Sequence, residues 1–167
     1  MSATPAACFA TLVHDLGKGV TPSHEWPKHH QHETAGLPLV TSVCSRLGVP
    51  DYWTQLALFV CEKHIVIHRS FELRPRTVVT LVDQMTRGHG STFMEDALVA
   101  CESDARGRLG FENKAYPQGA FLREVGQALQ AEAATACLLR TNREEQAAHL
   151  RRLAMVRQIQ KKFVAGT

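Results

Sequence analysis

The string Leu12-Val13-His14-Asp15-Leu16-Gly17-Lys18-Gly19 sets an imidazole beside a carboxylate at the end of an apolar run. Neighbours on a helix differ by about 100° in direction, so both side chains can converge on an ion just beyond the helix C-terminus. Imidazole nitrogen is a borderline ligand and carboxylate oxygen a hard one. Together they suit Mn, Fe, Co, Ni, Zn or Mg. The glycines allow the chain to turn tightly beside a ligand, and Lys18 stands where it can meet an anion. The chain holds nine histidines, and they are bunched: five fall within His14–His32, and His64 and His68 form a second group. In His29-His30-Gln31-His32-Glu33-Thr34-Ala35-Gly36, His32 precedes a small pair at a helix start and can face the same cavity. His64 and His68 share a face if Glu62–His68 is helical. Asp104 closes another apolar run and is followed by Arg106 and Arg108. Histidines and aspartates supplied by four separate helices are how a bundle builds a metal site in its core. The structural alternatives are a His14–Asp15 hydrogen bond, a satisfied buried His64, a capping His32 and a salt bridge from Asp104 to Arg106 or Arg108. His24, His29 and His30 read as solvated loop residues.

The elements that must position these groups are helices. Apolar residues recur at intervals of three and four, and strand signals are poor. The residues before His14 form one helix, with no basic n-region of a signal peptide. Leu37, Val40, Val43, Cys44 and Leu47 predict a face ended by Gly48-Val49-Pro50. Asp51 can cap a helix through Lys63 or beyond. Val78, Leu81, Val82 and Met85 follow Pro75 in a first helical turn. Further helices are predicted over 91–106 and 117–136, and Thr141-Asn142-Arg143-Glu144 has the form of a capping box opening a last helix toward Phe163. Trp26 and Trp53 read chiefly as core or lid packing and Phe111 and Tyr116 as core packing, although Phe111 and Tyr116 beside Arg108 and Lys114 have the composition of a base-stacking group. The expectation is an all-α bundle of about six or seven helices, with residues 1–136 as the main domain and 137–167 as a basic helix packed on it or extending from it.

Composition bounds the rest. The 167 residues suit one domain of ordinary size. Nineteen Lys and Arg against sixteen Asp and Glu leave +3, too small an excess to argue for nucleic acid by itself. Residues 140–162 carry seven basic and two acidic groups, a local +5 that suits either a solvated helix face or a phosphate-tracking surface. No run approaches a membrane span. Cys8, Cys44, Cys61, Cys101 and Cys137 are odd in number and form no CxxC, which predicts reduced, buried thiols in a cytoplasmic protein.

HDLGKG, a His-rich stretch ending H-x-x-x-G, a distant His and then an Asp resemble the HD-domain metal-dependent phosphohydrolases. More narrowly, FATLVHDLGKGVTP, WPKHHQHETAG, EKHIVIH and SDARGRLGFENKAYPQG look like the C-terminal HD domain of the bacterial tRNA nucleotidyltransferase family that adds CCA, from about Phe9 to Gln130. The resemblance implies an HD-domain helical bundle that hydrolyses 2′,3′-cyclic nucleotides, 2′-nucleotides and simpler phosphate esters with a divalent metal such as Ni, Mn, Co or Mg. It implies His14, Asp15, His32, His64 and Asp104 as metal ligands, Asp15, His64 and Lys18 as catalytic groups, and Lys18, Arg106 and Arg108 as phosphate contacts. The implied partners are a phosphorylated small molecule or RNA end, and tRNA.

Two features depart from that pattern. The family usually supplies a further His from a helix upstream of the HD pair, and only 13 residues precede His14; Ile65 stands where the family pairs the distant His with an Asp. A Gly-rich, paired-carboxylate segment for nucleotide transfer is absent, so CCA addition is not expected of this chain alone. A second function class follows: a non-catalytic HD module that binds tRNA, nucleotide, a second copy or a protein partner across the groove left by the missing helix.

Overall fold

A computed structural model describes residues 3–86, 90–136 and 142–165. These residues form seven α-helices and no strand: α1 (Pro5–Val13), α2 (His32–Leu47), α3 (Asp51–His68), α4 (Pro75–Thr86), α5 (Gly90–Arg106), α6 (Pro117–Ala136) and α7 (Asn142–Ala165), with short 3₁₀ turns at Leu16–Val20, Ser23–Glu25 and Ser70–Glu72. The all-α expectation holds. Thr141 of the capping box and Cys137 lie outside the described residues, as does the 136/137 boundary on its C-terminal side. Contacts divide the chain into two compact units, Met1–His68 with Thr92–Lys114, and Arg69–Ser91 with Ala115–Thr167.

In the first unit, Thr4 caps α1 by accepting the Ala7 amide at 3.1 Å, with Pro5 opening the helix. Small Ala6, Ala7 and Ala10 with Val13 make its buried face and let it approach α3 closely. Leu56, Val60 and Ile67 of α3 are wholly buried, each worth about 1.5–3 kcal/mol relative to exposure. Phe9 meets Trp53 at 6.1 Å, and Phe93 meets Phe59 at 5.4 Å. Buried Asp96 accepts from Thr4 Oγ1 at 2.8 Å and Tyr52 Oη at 2.7 Å, tying α1, α3 and α5 together. Burial, with the Asp96 carboxylate beside it, raises the Tyr52 hydroxyl pKa and keeps it protonated as a donor.

In the second unit, Val78, Leu81, Val82 and Met85 of α4 are buried as their spacing predicts. They pack with Phe121, Leu122 and Val125 of α6 and with Val156 of α7 in one core. Phe71, Phe121 and Phe163 form a trio with centroids 5.1–6.1 Å apart. Gln160 Nε2 donates to the carbonyls of Phe71 and Leu73 at 2.7 and 2.9 Å, satisfying the turn before α4. Part of the basic face of α7 is answered by acids: Arg152 pairs with Asp83 at 2.9 Å and with Glu132 at 3.6 Å, and Lys162 with Glu124 at 2.9 Å.

Several expectations need correction. The buried line of α2 is His32, Gly36, Val40 and Cys44, and Leu47 is 69 % exposed at the helix end, where Gly48 adopts the left-handed cap. Cys8 is exposed, although Cys44, Cys61 and Cys101 are free and buried. Trp26 (59 % exposed) and Phe111 (41 %) are not core residues. Each sits in a connection, where no opposing helix covers it. Among the described residues no helix is long and apolar enough to cross a membrane.

Candidate metal centre

The predicted site residues lie in the first unit and are brought together. His14 caps the C-terminus of α1, and Asp15 is the next residue, before the Leu16–Val20 turn. His32 opens α2, His64 and His68 stand in the last part of α3, and Asp104 lies in the last turn of α5. The turn and α2 approach closely because two residues lack side chains. A Cβ on Gly17 would fall 1.9 Å from the His32 carbonyl oxygen, and one on Gly36 would fall 2.7 Å from Cys61 Sγ. Gly17 therefore carries Asp15 against His32, and Gly36, one turn beyond His32, brings α2 against α3.

Each of the three buried imidazoles turns its Nδ1 to a main-chain carbonyl. His14 Nδ1 lies 2.7 Å from Thr11 O, His32 Nδ1 lies 2.8 Å from His29 O, and His64 Nδ1 lies 3.1 Å from both Val60 O and Cys61 O. A carbonyl only accepts, so each Nδ1 carries the proton and donates, leaving Nε2 as the atom presented to the site. Those Nε2 atoms converge on Asp15. His32 Nε2 is 3.2 Å from Asp15 Oδ1, His64 Nε2 is 3.8 Å from the same oxygen, and His14 Nε2 is 3.2 Å from Oδ2 and 3.5 Å from Asp104 Oδ1. His32 Nε2 and His64 Nε2 face each other at 3.3 Å. Two neutral rings meeting lone pair to lone pair repel unless a proton or a cation lies between them.

The electrostatics follow from the same packing. Burial disfavours charge on His14, yet Asp104 and Asp15 outweigh it and raise its pKa to about 10. Burial would push both carboxyls up. His14 and Lys18 hold Asp15 well below the usual carboxylate range, and His14 and His68 do the same for Asp104. Burial, followed by the charge on His14, lowers His64. His14 Nε2 and Asp15 Oδ1 are buried with no hydrogen bond of sound geometry, so the carboxylates attract His14 as an ion pair.

These atoms fit a divalent ion. Ligand atoms bound at about 2.0–2.2 Å to one ion stand about 3.0–3.5 Å apart, and the three imidazoles stand 3.2–3.8 Å from the Asp15 oxygens. Nitrogen and carboxylate oxygen are the donors that first-row divalent metals accept. One atom each from His14, Asp15 and His64 lies within 4.8 Å of the others, and His32 Nε2 adjoins two of those residues. Asp104 stands on the His14 side. His68 Nε2 donates to Asp104 Oδ2 at 2.8 Å, so His68 orients a carboxylate. Its i,i+4 spacing from His64 was the only sequence signal for that role.

The predicted phosphate contacts are less free. Lys18 Nζ pairs with Asp15 Oδ2, Arg106 with Glu102 at 2.9 Å, and Arg108, 63 % exposed, reaches within 3.9 Å of Asp104 Oδ2. Ile65 is partly buried and offers no donor atom.

Comparison with known proteins gives one consistent result. The chain is 48% identical over 122 residues to a multifunctional CCA protein of Hahella chejuensis, 48% over 117 residues to that of Alkalilimnicola ehrlichii, and 41% over 130 residues to that of Teredinibacter turnerae. Those matches take in 73%, 70% and 78% of this chain and 29%, 28% and 32% of the respective relatives, so the chain spans about three-tenths of their length. No family model and no solved structure matches. Over some seven-tenths of its length the chain is thus similar to the multifunctional CCA proteins, whose C-terminal region is the HD domain.

Proposed function

We propose that the chain is a metal-dependent phosphohydrolase acting on 2′,3′-cyclic phosphates, 2′-phosphates and small phosphate esters, with a phosphorylated small molecule or an RNA end as substrate. One observation carries this reading: three buried imidazoles and Asp15 turn ligand atoms toward one point, and two of those atoms, His14 Nε2 and Asp15 Oδ1, have no hydrogen-bond partner. His14, Asp15, His32, His64 and Asp104 would hold the ion, which is Ni, Mn, Co or Mg. When bound, such an ion lowers the pKa of water toward neutrality and offsets charge developing on the phosphoryl group. The residues supply the rest. The backbone carbonyls of Thr11, His29, Val60 and Cys61 fix the ring tautomers. Asp15, His64 and Lys18 act at the reacting phosphate. Lys18 moves from Asp15 to the anion, and Arg108, leaning over Asp104 from solvent, meets the phosphate with Arg106. The buried free thiols accord with a reducing, cytoplasmic setting.

A second reading has one specific observation behind it. The carboxylate expected after the distant His is replaced by Ile65, which leaves fewer ligand atoms and favours a module that binds tRNA, nucleotide or a partner without turnover. The test is hydrolysis of a 2′,3′-cyclic nucleotide with each of the four ions, wild type beside Asp15→Ala. Turnover lost in the variant supports the enzyme. Equal background in both, with retained binding of tRNA at low salt, replaces it with the module.

A further inference from the structure

Trp26 is the largest apolar side chain of the first unit left in water, and it is not loosely held. Its Nε1 donates to the Thr21 carbonyl at 3.1 Å, and the His29 ring leans on the indole with centroids 6.0 Å apart, while 59 % of the residue stays exposed. The connection that presents it is built to a shape. His29 (φ 49°) and Gln31 (φ 60°) adopt left-handed backbone that non-glycine residues hold only when their surroundings over-determine it. Thr21 is buried, pairs with His29 Nδ1 at 2.5 Å and donates to the Lys18 carbonyl at 2.9 Å. The same connection reaches the His/Asp cluster from both ends. Lys18 pairs with Asp15, and the His29 carbonyl fixes the His32 ring. Phe111 is the other exposed aromatic ring in this unit, but Lys114 Nζ already lies over it, 4.5 Å from the centroid.

A preorganised aromatic face in water, wired to a phosphate-handling cluster, suits a ligand with a flat apolar end and an anionic end. Base stacking on aromatic side chains tolerates any base and contributes about tenfold or more in affinity. We propose that Trp26 is the platform on which the base of a nucleotide or RNA end stacks while its phosphate lies at the His/Asp cluster. This inference rests on the phosphohydrolase reading and narrows it: nucleotides, not plain phosphate esters, are the favoured substrates.

The experiment compares adenosine 2′-phosphate with ribose 5-phosphate, by calorimetry on the metal-loaded protein and with hydrolysis followed in the same samples. The wild type is expected to bind the nucleotide about tenfold more tightly. Trp26→Ala should erase that preference with little change for ribose 5-phosphate. Trp26→Phe, which keeps a ring but loses the Thr21 hydrogen bond, should restore most of it, and Phe111→Ala should leave it intact. In Trp53→Phe protein, where Trp26 is the sole indole, nucleotide should quench fluorescence and ribose 5-phosphate should not. Equal affinities in the wild type, or a preference unchanged in Trp26→Ala, overturn the platform. Absence of turnover with the binding preference intact overturns the hydrolase reading and leaves the platform standing.

Discussion

In the unit that carries the His/Asp cluster, His14, His32, His64, Thr21 and Asp96 are buried, and His14 Nε2 and Asp15 Oδ1 are left without hydrogen bonds. In the other unit, the charges of α4, α6 and α7 meet opposite charges, Arg152 with Asp83 and Glu132 and Lys162 with Glu124, although both Glu132 carboxylate oxygens, Arg152 Nε and Ser70 Oγ are also buried without a hydrogen bond. Its interior is a set of aliphatic side chains and the Phe71–Phe121–Phe163 trio. The contrast lies in which groups are buried together. Desolvating an imidazole or a carboxylate costs stability unless something pairs with it. What sets the first unit apart is that its buried imidazoles and carboxylates, from separate helices, meet one another, a donor set that suits a divalent ion.

Four substitutions or titrations can break or sharpen that contrast. The largest effect is expected from Phe121→Ala, which removes a wholly buried ring from the trio. It should cost about 3–5 kcal/mol in denaturant melts while metal stoichiometry below the melting point stays unchanged. Loss of metal binding in the folded variant would show that the contrast is not functional. Next, Gly17→Ala should destabilise by about 1–3 kcal/mol, because its Cβ would meet the His32 carbonyl oxygen at 1.9 Å. Gly19→Ala, with nothing within 4 Å, should stay within about 0.5 kcal/mol of wild type. Equal melting curves for the two variants would refute the close approach of the turn to α2.

The third concerns protons. His14 is raised from its ordinary 6.5 to about 10 in the metal-free site, so it is charged at neutral pH and must lose that proton to ligate. Between pH 6.5 and 10, metal uptake should release about one proton and tighten about tenfold per pH unit. Calorimetry in buffers of different ionisation enthalpy reads the count, and a count of zero removes His14 from the ligand set. In the metal-free protein the sign is opposite. The stability His14 contributes is whole below 6.5 and is lost as pH climbs through 10, whereas the contributions of Asp15 and Asp104, both held low, are present above 3.8 and fade as pH falls below it. The smallest effect is expected from Lys162→Ala. Its side chain is 67 % exposed, and the loss should not exceed about 0.5 kcal/mol. A loss of several kcal/mol would mean that the ion pairs of α7 matter as much as its apolar contacts.

Much of the fold was legible because its signals are local. Apolar spacing marked α4, Pro117 marked the start of α6, and Gly48 marked the end of α2. The helix through Pro38 was less legible, since an internal proline argues against continuation. It is tolerated on the exposed side of α2. The exposure of Phe111, and the choice between core and lid for Trp26, were not legible, because an aromatic residue reads as core until its neighbours in space are known. Among the site residues, His14 and Asp15 stood out as a motif. The part of His68 did not, because it depends on an aspartate 36 residues away on another helix.

The sequence by itself determined the helical class, the helix ends and the residue types available for metal and phosphate chemistry, because periodicity, caps and side-chain chemistry are properties of short stretches. The nitrogen each buried histidine presents is local as well, since its Nδ1 meets a carbonyl three or four residues back, and Lys18 meets Asp15 within one turn. Tertiary structure alone decided that His32 and His64 face Asp15 and that His14 and His68 reach Asp104. Those outcomes depend on distances between helices, and such distances are set by close packing at Gly17 and Gly36 across residues far apart in the chain.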